Sequence, residues 1–123
     1  MEIRSANTIL YCTRWQDTIA FYRDGLGLEI TTALDWFVEF RLNGHARLSI
    51  ADTAHTSLKS SAGQGLTLAM EVEDIDATRL VLEKQGLHPQ AIRDHAWGAR
   101  VFYIYDPEGN RLEFWMPVKK NTV

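Results

Sequence analysis

The chain has 123 residues, with 13 basic against 16 acidic side chains and a formal net charge of −3. That length is enough for one compact domain with a modest core. The charge balance offers no basic excess for nucleic acid and no basic run for a membrane surface. No apolar stretch approaches transmembrane length and no signal-peptide pattern opens the sequence, so a cytoplasmic protein is the expectation.

Residues 7–12 read as a strand. Cys12 is the single cysteine, which excludes an intrachain disulfide framework; in an apolar run without an adjacent His or basic residue, it reads as a buried small hydrophobe rather than a reactive thiol. Thr13 is placed to cap the next helix, with Gln16 as its capping-box partner. Trp15, Ile19, Tyr22 and Leu26 fall at helical spacing, and Gly25 and Gly27 end the helix. Strands are predicted over 28–32, 36–42 and 46–51, with Asn43-Gly44 turning the last two into a hairpin. Residues 52–64 are small and polar and read as a linker.

The order then repeats. Residues 66–72 read as a strand, and Asp74 or Glu73 caps a helix carrying Ile75, Thr78, Val81 and Leu82, which Gly86 closes. Strands are predicted over 88–93, 100–105 and 111–116. A shift of 60 residues lays Thr13 on Glu73, Trp15 on Ile75, Ala20 on Leu80 and Phe21 on Val81, while Arg47-Leu48-Ser49-Ile50 matches Arg111-Leu112-Glu113-Phe114. A long period occurring twice is a duplicated module rather than a solenoid. The expected fold is therefore α+β, two βαβββ modules (about 5–51 and 65–118) forming a curved mixed sheet around a cleft within a single domain over 1–123.

Period-two alternation sorts the strand residues. Thr8, Leu10, Cys12, Leu48 and Ile50 go to the helix in the first module, and Leu66, Leu68, Met70 and Val72 in the second. The opposite face receives Asn7, Ile9 and Tyr11, then Phe37 and Glu39, then Arg47, Ser49 and Ala51. In the second module it receives Thr67, Ala69 and Glu71, then Arg111, Glu113 and Trp115.

The last hairpin carries the most specific pattern. Tyr105-Asp106-Pro107-Glu108-Gly109-Asn110 supplies turn chemistry, since Pro107 presets φ and Gly109 or Asn110 tolerates a positive one. After it, Leu112 and Phe114 lie on one side of a strand and Arg111, Glu113 and Trp115 on the other. With the duplication, this resembles the vicinal-oxygen-chelate superfamily, which includes glyoxalase I, extradiol dioxygenases and bleomycin-resistance proteins, and the resemblance spans essentially the whole chain.

In the superfamily's metal-dependent members the metal sits among four equivalent positions. Carried over, these are Asn7, Ser49, Thr67 and Glu113. A transition metal there wants two or three His or Glu ligands at about 2.0–2.2 Å. This set offers one carboxylate, one weak amide and two hydroxyls, and His45, His55, His88 and His95 all fall elsewhere without a metal-ligand spacing. No metal or other cofactor is expected. Glu113 is then either a satisfied polar group, accepting from Arg47 or Arg111 or from Ser49 and Thr67, or a general base or ligand-binding carboxylate.

Most of the strand aromatics (Trp36, Phe37, Phe40, Trp97, Phe102, Tyr103, Tyr105, Phe114 and Trp115) are expected in the core. Trp97-Gly98-Ala99-Arg100 ahead of a strand, followed by Asp-Pro-x-Gly-Asn, resembles the bleomycin-resistance branch, whose cleft is metal-free, aromatic-lined and completed by two chains. That likeness implies Trp97 as a cleft-wall or interface residue. Glu39, Glu71 and Glu113 are offset by Arg47 and Arg111, so the face lacks the strong acidity suited to a cationic drug.

The expected function is binding of a small amphipathic or aromatic molecule without a catalytic metal. Its ligand-binding residues would be Asn7, Tyr11, Phe37, Arg47, Ser49, Thr67, Trp97, Arg111, Glu113 and Trp115. The alternative is a metal-dependent lyase, isomerase or dioxygenase, or a metal-free enzyme using Glu113 as base. By analogy a homodimer is expected, with no nucleic-acid or membrane partner.

Overall fold

The computed structural model describes residues 1–118. The architecture is mixed α+β, with two four-stranded mixed sheets and few helices. The described residues divide into two compact units: residues 1–65 with 107–109, and residues 66–106 with 110–118.

In the first unit, β1 (Ala6–Cys12), β2 (Ile30–Ala33), β3 (Phe37–Arg41) and β4 (Ala46–Asp52) form a sheet in the order β1-β4-β3-β2. β1 runs parallel to β4, and the other pairs are antiparallel. A parallel neighbour requires a crossover, here supplied by α1 (Trp15–Ala20) and a π-helical turn over Phe21–Gly25. The Trp15 indole N–H donates to the Ile50 carbonyl at 2.9 Å, tying α1 to β4. Leu10, Cys12, Ile19, Tyr22, Val38, Phe40, Leu48 and Ile50 make the core, with the Tyr22 and Phe40 rings 6.0 Å apart. Burial of each large apolar side chain contributes about 1.5–3 kcal/mol. Cys12 lies in that core, as its sequence setting indicated.

The second unit repeats the topology. β5 (Thr67–Glu71), β6 (Arg93–His95), β7 (Ala99–Tyr105) and β8 (Arg111–Pro117) follow the order β5-β8-β7-β6, with β5 parallel to β8. α2 (Ile75–Lys84) is the crossover. Asp74 caps it as expected, its carboxylate accepting from the Ala77 N–H at 3.0 Å, and Gly86 follows it at φ +76°. Ile75, Leu82, Phe102, Ile104, Leu112 and Phe114 form the core, with Phe102 stacked on its cross-strand partner Phe114 at 5.2 Å.

Several local expectations are corrected. Thr13 is not the cap of α1; the flanking residue is Arg14, without a side-chain cap of its own. The strand predicted over 88–93 is displaced to Arg93–His95. His88, at the predicted start, has φ +54°, outside the extended region; beyond it Arg79 ties the segment to α2, its Nε donating to the Gln90 carbonyl at 2.9 Å and its Nη2 to the Pro89 carbonyl at 3.0 Å. Val81 is 57% exposed, because the buried stripe runs from Ile75 to Leu82 at a seven-residue spacing that misses it. Of the aromatics expected in the core, Phe40, Phe102 and Phe114 are buried. Trp36, Trp97 and Tyr105 are exposed, and Phe37, Tyr103 and Trp115 lie half-buried on the sheet faces away from the helices. Among the described residues, no helix is long and apolar enough to cross a membrane.

Candidate functional site

The sheet registers fix the predicted residues in rows. In the first unit, Ser49 lies between Ile9 and Glu39, Arg47 between Asn7 and Arg41, and Ala51 between Tyr11 and Phe37. Ser49 is fully buried, and its hydroxyl donates to the Asn7 side-chain oxygen at 2.8 Å. Glu39 accepts from the Thr31 hydroxyl at 2.9 Å and pairs with the Arg47 guanidinium at 3.7 Å. Arg47 also donates to the Asn43 carbonyl at 2.8 Å. The face thus grades from polar, at Asn7 and Arg47, to aromatic, at Tyr11 and Phe37, and its charges are met internally.

In the second unit the rows are Thr67–Arg111–Tyr105, Ala69–Glu113–Tyr103 and Glu71–Trp115–Val101. Arg111 Nε donates to the Thr67 hydroxyl oxygen at 3.0 Å, and its guanidinium carbon lies 4.5 Å from the centre of the Tyr103 ring. A cation over an aromatic face contributes about 0.5–1 kcal/mol where exposed and more where desolvated. Among the described residues neither Arg111 nor Thr67 donates to Glu113, in contrast to one of the two sequence expectations for it; Arg111 turns its Nε to Thr67 instead. Trp97, in the turn between β6 and β7, sets its ring edge-on to Trp115 at 6.2 Å and 5.8 Å from His95. His95 was missed from sequence. Its Nε2 is buried and, among the described residues, has no hydrogen-bond partner; nothing in its spacing would have flagged it.

The Asp106–Asn110 turn has structural work of its own. The two Asp106 carboxylate oxygens accept from the Asn110 backbone N–H and side-chain amide, both at 2.9 Å, and the Asp106 N–H donates to the Asn110 carbonyl at 3.0 Å. Glu108 reaches the start of α1. It accepts from the Thr13 N–H at 2.8 Å, the Thr13 hydroxyl at 2.9 Å and the Arg14 N–H at 2.9 Å. Burial pushes the Glu108 carboxyl up, but hydrogen bonds from Ser60, Thr13 and Arg14 outweigh it and hold the group below its ordinary value of 4.5. Gly109 has φ +95°, and a β-carbon there would lie 2.9 Å from the Ala62 carbonyl oxygen.

The four positions implied as metal ligands therefore fall into two polar pairs. Asn7 and Ser49 bond each other; Thr67 bonds a cationic arginine, and Glu113 stands beside that pair on the same strand face. Among the described residues, no three His, Cys, Asp or Glu side chains cluster as a ligand set.

Two βαβββ modules with identical strand order, each with a polar pair on its free sheet face, define the class of protein. The sequence matches the family model of the glyoxalase/bleomycin resistance protein/dioxygenase superfamily over residues 4–114, and the chain belongs to that superfamily. No curated protein matched the sequence. Among solved structures, a glyoxalase/bleomycin resistance protein/dioxygenase from Nocardioides is similar at 20% identity and TM-score 0.78, over 99% of this chain and 87% of that one. A lactoylglutathione lyase from Agrobacterium tumefaciens is similar at 26% identity and TM-score 0.77, over 90% and 91%. TnmS3, an antibiotic binding protein from Streptomyces sp. CB03234, is similar at 18% identity and TM-score 0.74, over 95% and 96%. At 20% and 18% identity the likeness bears on the fold alone.

Proposed function

We propose that this protein binds a small amphipathic or aromatic molecule, with no catalytic metal at Glu113, as in the bleomycin-resistance branch of its superfamily; each unit, taken by itself, offers aromatic residues on one sheet face, Tyr11 and Phe37 in the first and Trp97 and Trp115 in the second. The observation that carries this reading is the state of the four ligand positions. A transition metal needs several anionic or imidazole donors. Here the Ser49 proton is directed at Asn7, Thr67 accepts from an arginine, and one carboxylate remains. A guanidinium beside the position further disfavours a cation. Each unit instead supplies polar groups beside its own aromatic residues, Asn7, Arg47 and Ser49 in the first and Thr67 and Arg111 in the second, suited to orienting a ligand. Elemental analysis of protein purified from cells tests this: no stoichiometric transition metal is expected, and about one tightly bound metal per chain overturns it.

A second reading draws on the lactoylglutathione lyase at 26% identity. It makes the chain a lyase, isomerase or dioxygenase in which Glu113 is a metal ligand or a base. Glu113→Gln separates the readings, because lost turnover with retained binding favours chemistry. We also propose a homodimer. Ile30, Leu34 and Trp36 are exposed beside the edge strand β2, where unpaired backbone groups add to the apolar surface. A monomer mass by light scattering at micromolar concentration would refute it.

A further inference from the structure

The first-unit face settles its own charges, with Arg47 against Glu39. The second-unit face does not. Arg111 spends Nε on Thr67 and lays its guanidinium on Tyr103, which fixes the fork in place. Its two terminal nitrogens have no acceptor among the described residues. Glu113 lies two residues along the same strand and the same face, yet it forms neither an ion pair nor a hydrogen bond with Arg111. A held guanidinium and a separate carboxylate, on residues that are both half-buried, thus share one face two residues apart on β8, with Tyr103 and Trp115 on the same face.

We propose that this face recognises an aromatic compound bearing a carboxylate at one end and a hydrogen-bond donor at the other. The carboxylate engages the terminal nitrogens of Arg111, the donor (a hydroxyl or amine) engages Glu113, and the ring body lies against Trp115. A planar carboxylate matches the guanidinium fork in a bidentate way that a halide or a neutral amide does not. Glu113 repels a simple anion, so the pair of charges selects a ligand carrying both groups rather than an anion alone. This inference rests on the small-molecule-binding reading above and adds the ligand's chemical class.

Titration calorimetry with three matched probes tests it: 6-hydroxy-2-naphthoate, its neutral amide, and 2-naphthoate, which lacks the donor. The hydroxynaphthoate is expected to bind at least about tenfold more tightly than the amide and about threefold more tightly than 2-naphthoate. Arg111→Gln should erase the preference for carboxylate over amide while leaving amide binding in place, and Glu113→Gln should erase the preference for the hydroxyl. Equal affinity of the wild-type protein for acid and amide overturns the inference and leaves the binding reading standing. Failure of all three probes to bind at millimolar concentration likewise overturns the inference, whereas the binding reading would be overturned by the metal analysis above. The wild-type comparison needs no variant, so a misfolded mutant does not rescue the proposal.

Discussion

Removing the Glu108 carboxylate should cost the first unit a large part of its stability. Glu108 is only 9% exposed and accepts from three donors of Thr13 and Arg14 at the opening of α1. A hydrogen bond to a charged group contributes about 1.5–3 kcal/mol net, and a buried donor left unmet costs about 1–3 kcal/mol. Thr13 and Arg14 are themselves exposed, so water recovers part of the loss. We set Glu108→Ala at about 3 kcal/mol and Glu108→Gln at about 2 kcal/mol, because glutamine keeps one acceptor but turns an amide N–H toward a backbone N–H. In thermal melts this is a drop of about 12 °C and about 8 °C. The effect also depends on pH. The folded carboxyl lies below its ordinary value of 4.5, so its contribution is full above that value and is lost as pH falls through the lower folded value. The gap between wild type and Glu108→Gln, read from urea midpoints, should therefore be wide at about pH 7 and narrow at about pH 3. Equal midpoints at neutral pH, or a gap that widens on acidification, would refute this account.

Three further substitutions probe other parts of the argument. Gly109→Ala combines a positive φ with a β-carbon 2.9 Å from the Ala62 carbonyl oxygen, whereas Gly44→Ala meets nothing within 4 Å; melts should show a loss of about 2 kcal/mol or more for the first and a change within about 0.5 kcal/mol for the second. Asn7→Ala removes the acceptor of the buried Ser49 hydroxyl, and a double-mutant cycle with Ser49→Ala should return a coupling of about 1 kcal/mol by chemical denaturation. Asp74→Ala removes the α2 cap and should cost about 1 kcal/mol, with Asp74→Asn restoring most of it.

Much of the fold was legible because its signals are local. Alternation assigned the buried faces of β1, β4 and β8, the Asp74 cap and Gly86 closure bounded α2, and the duplication gave two modules of the same strand order. What the sequence concealed acts across long separations. Thr13 and Gln16 imitate a capping box, while the real acceptor for Thr13 is Glu108, 95 positions away. β6 starts late, beyond His88 at φ +54°, a backbone conformation that no strand pattern flags. For the candidate site, the family resemblance pointed to Asn7, Ser49, Thr67 and Glu113, and alternation put Arg111 on the face of Thr67 and Glu113. That Arg111 would choose Thr67 and Tyr103 over Glu113 follows from side-chain reach across neighbouring strands. His95, predicted in a loop, ends a strand and buries Nε2.

The position of Glu108 also bears on the order in which the protein takes shape. The first unit comprises residues 1–65 and then 107–109. At about 5–20 residues per second, the ~40 residues separating these segments take roughly 2–8 s to be translated. During that interval the newly made β1-α1 crossover lacks the carboxylate that receives the Thr13 and Arg14 backbone N–H groups. The β1-α1 turn is thus made seconds before the carboxylate that receives its backbone N–H groups.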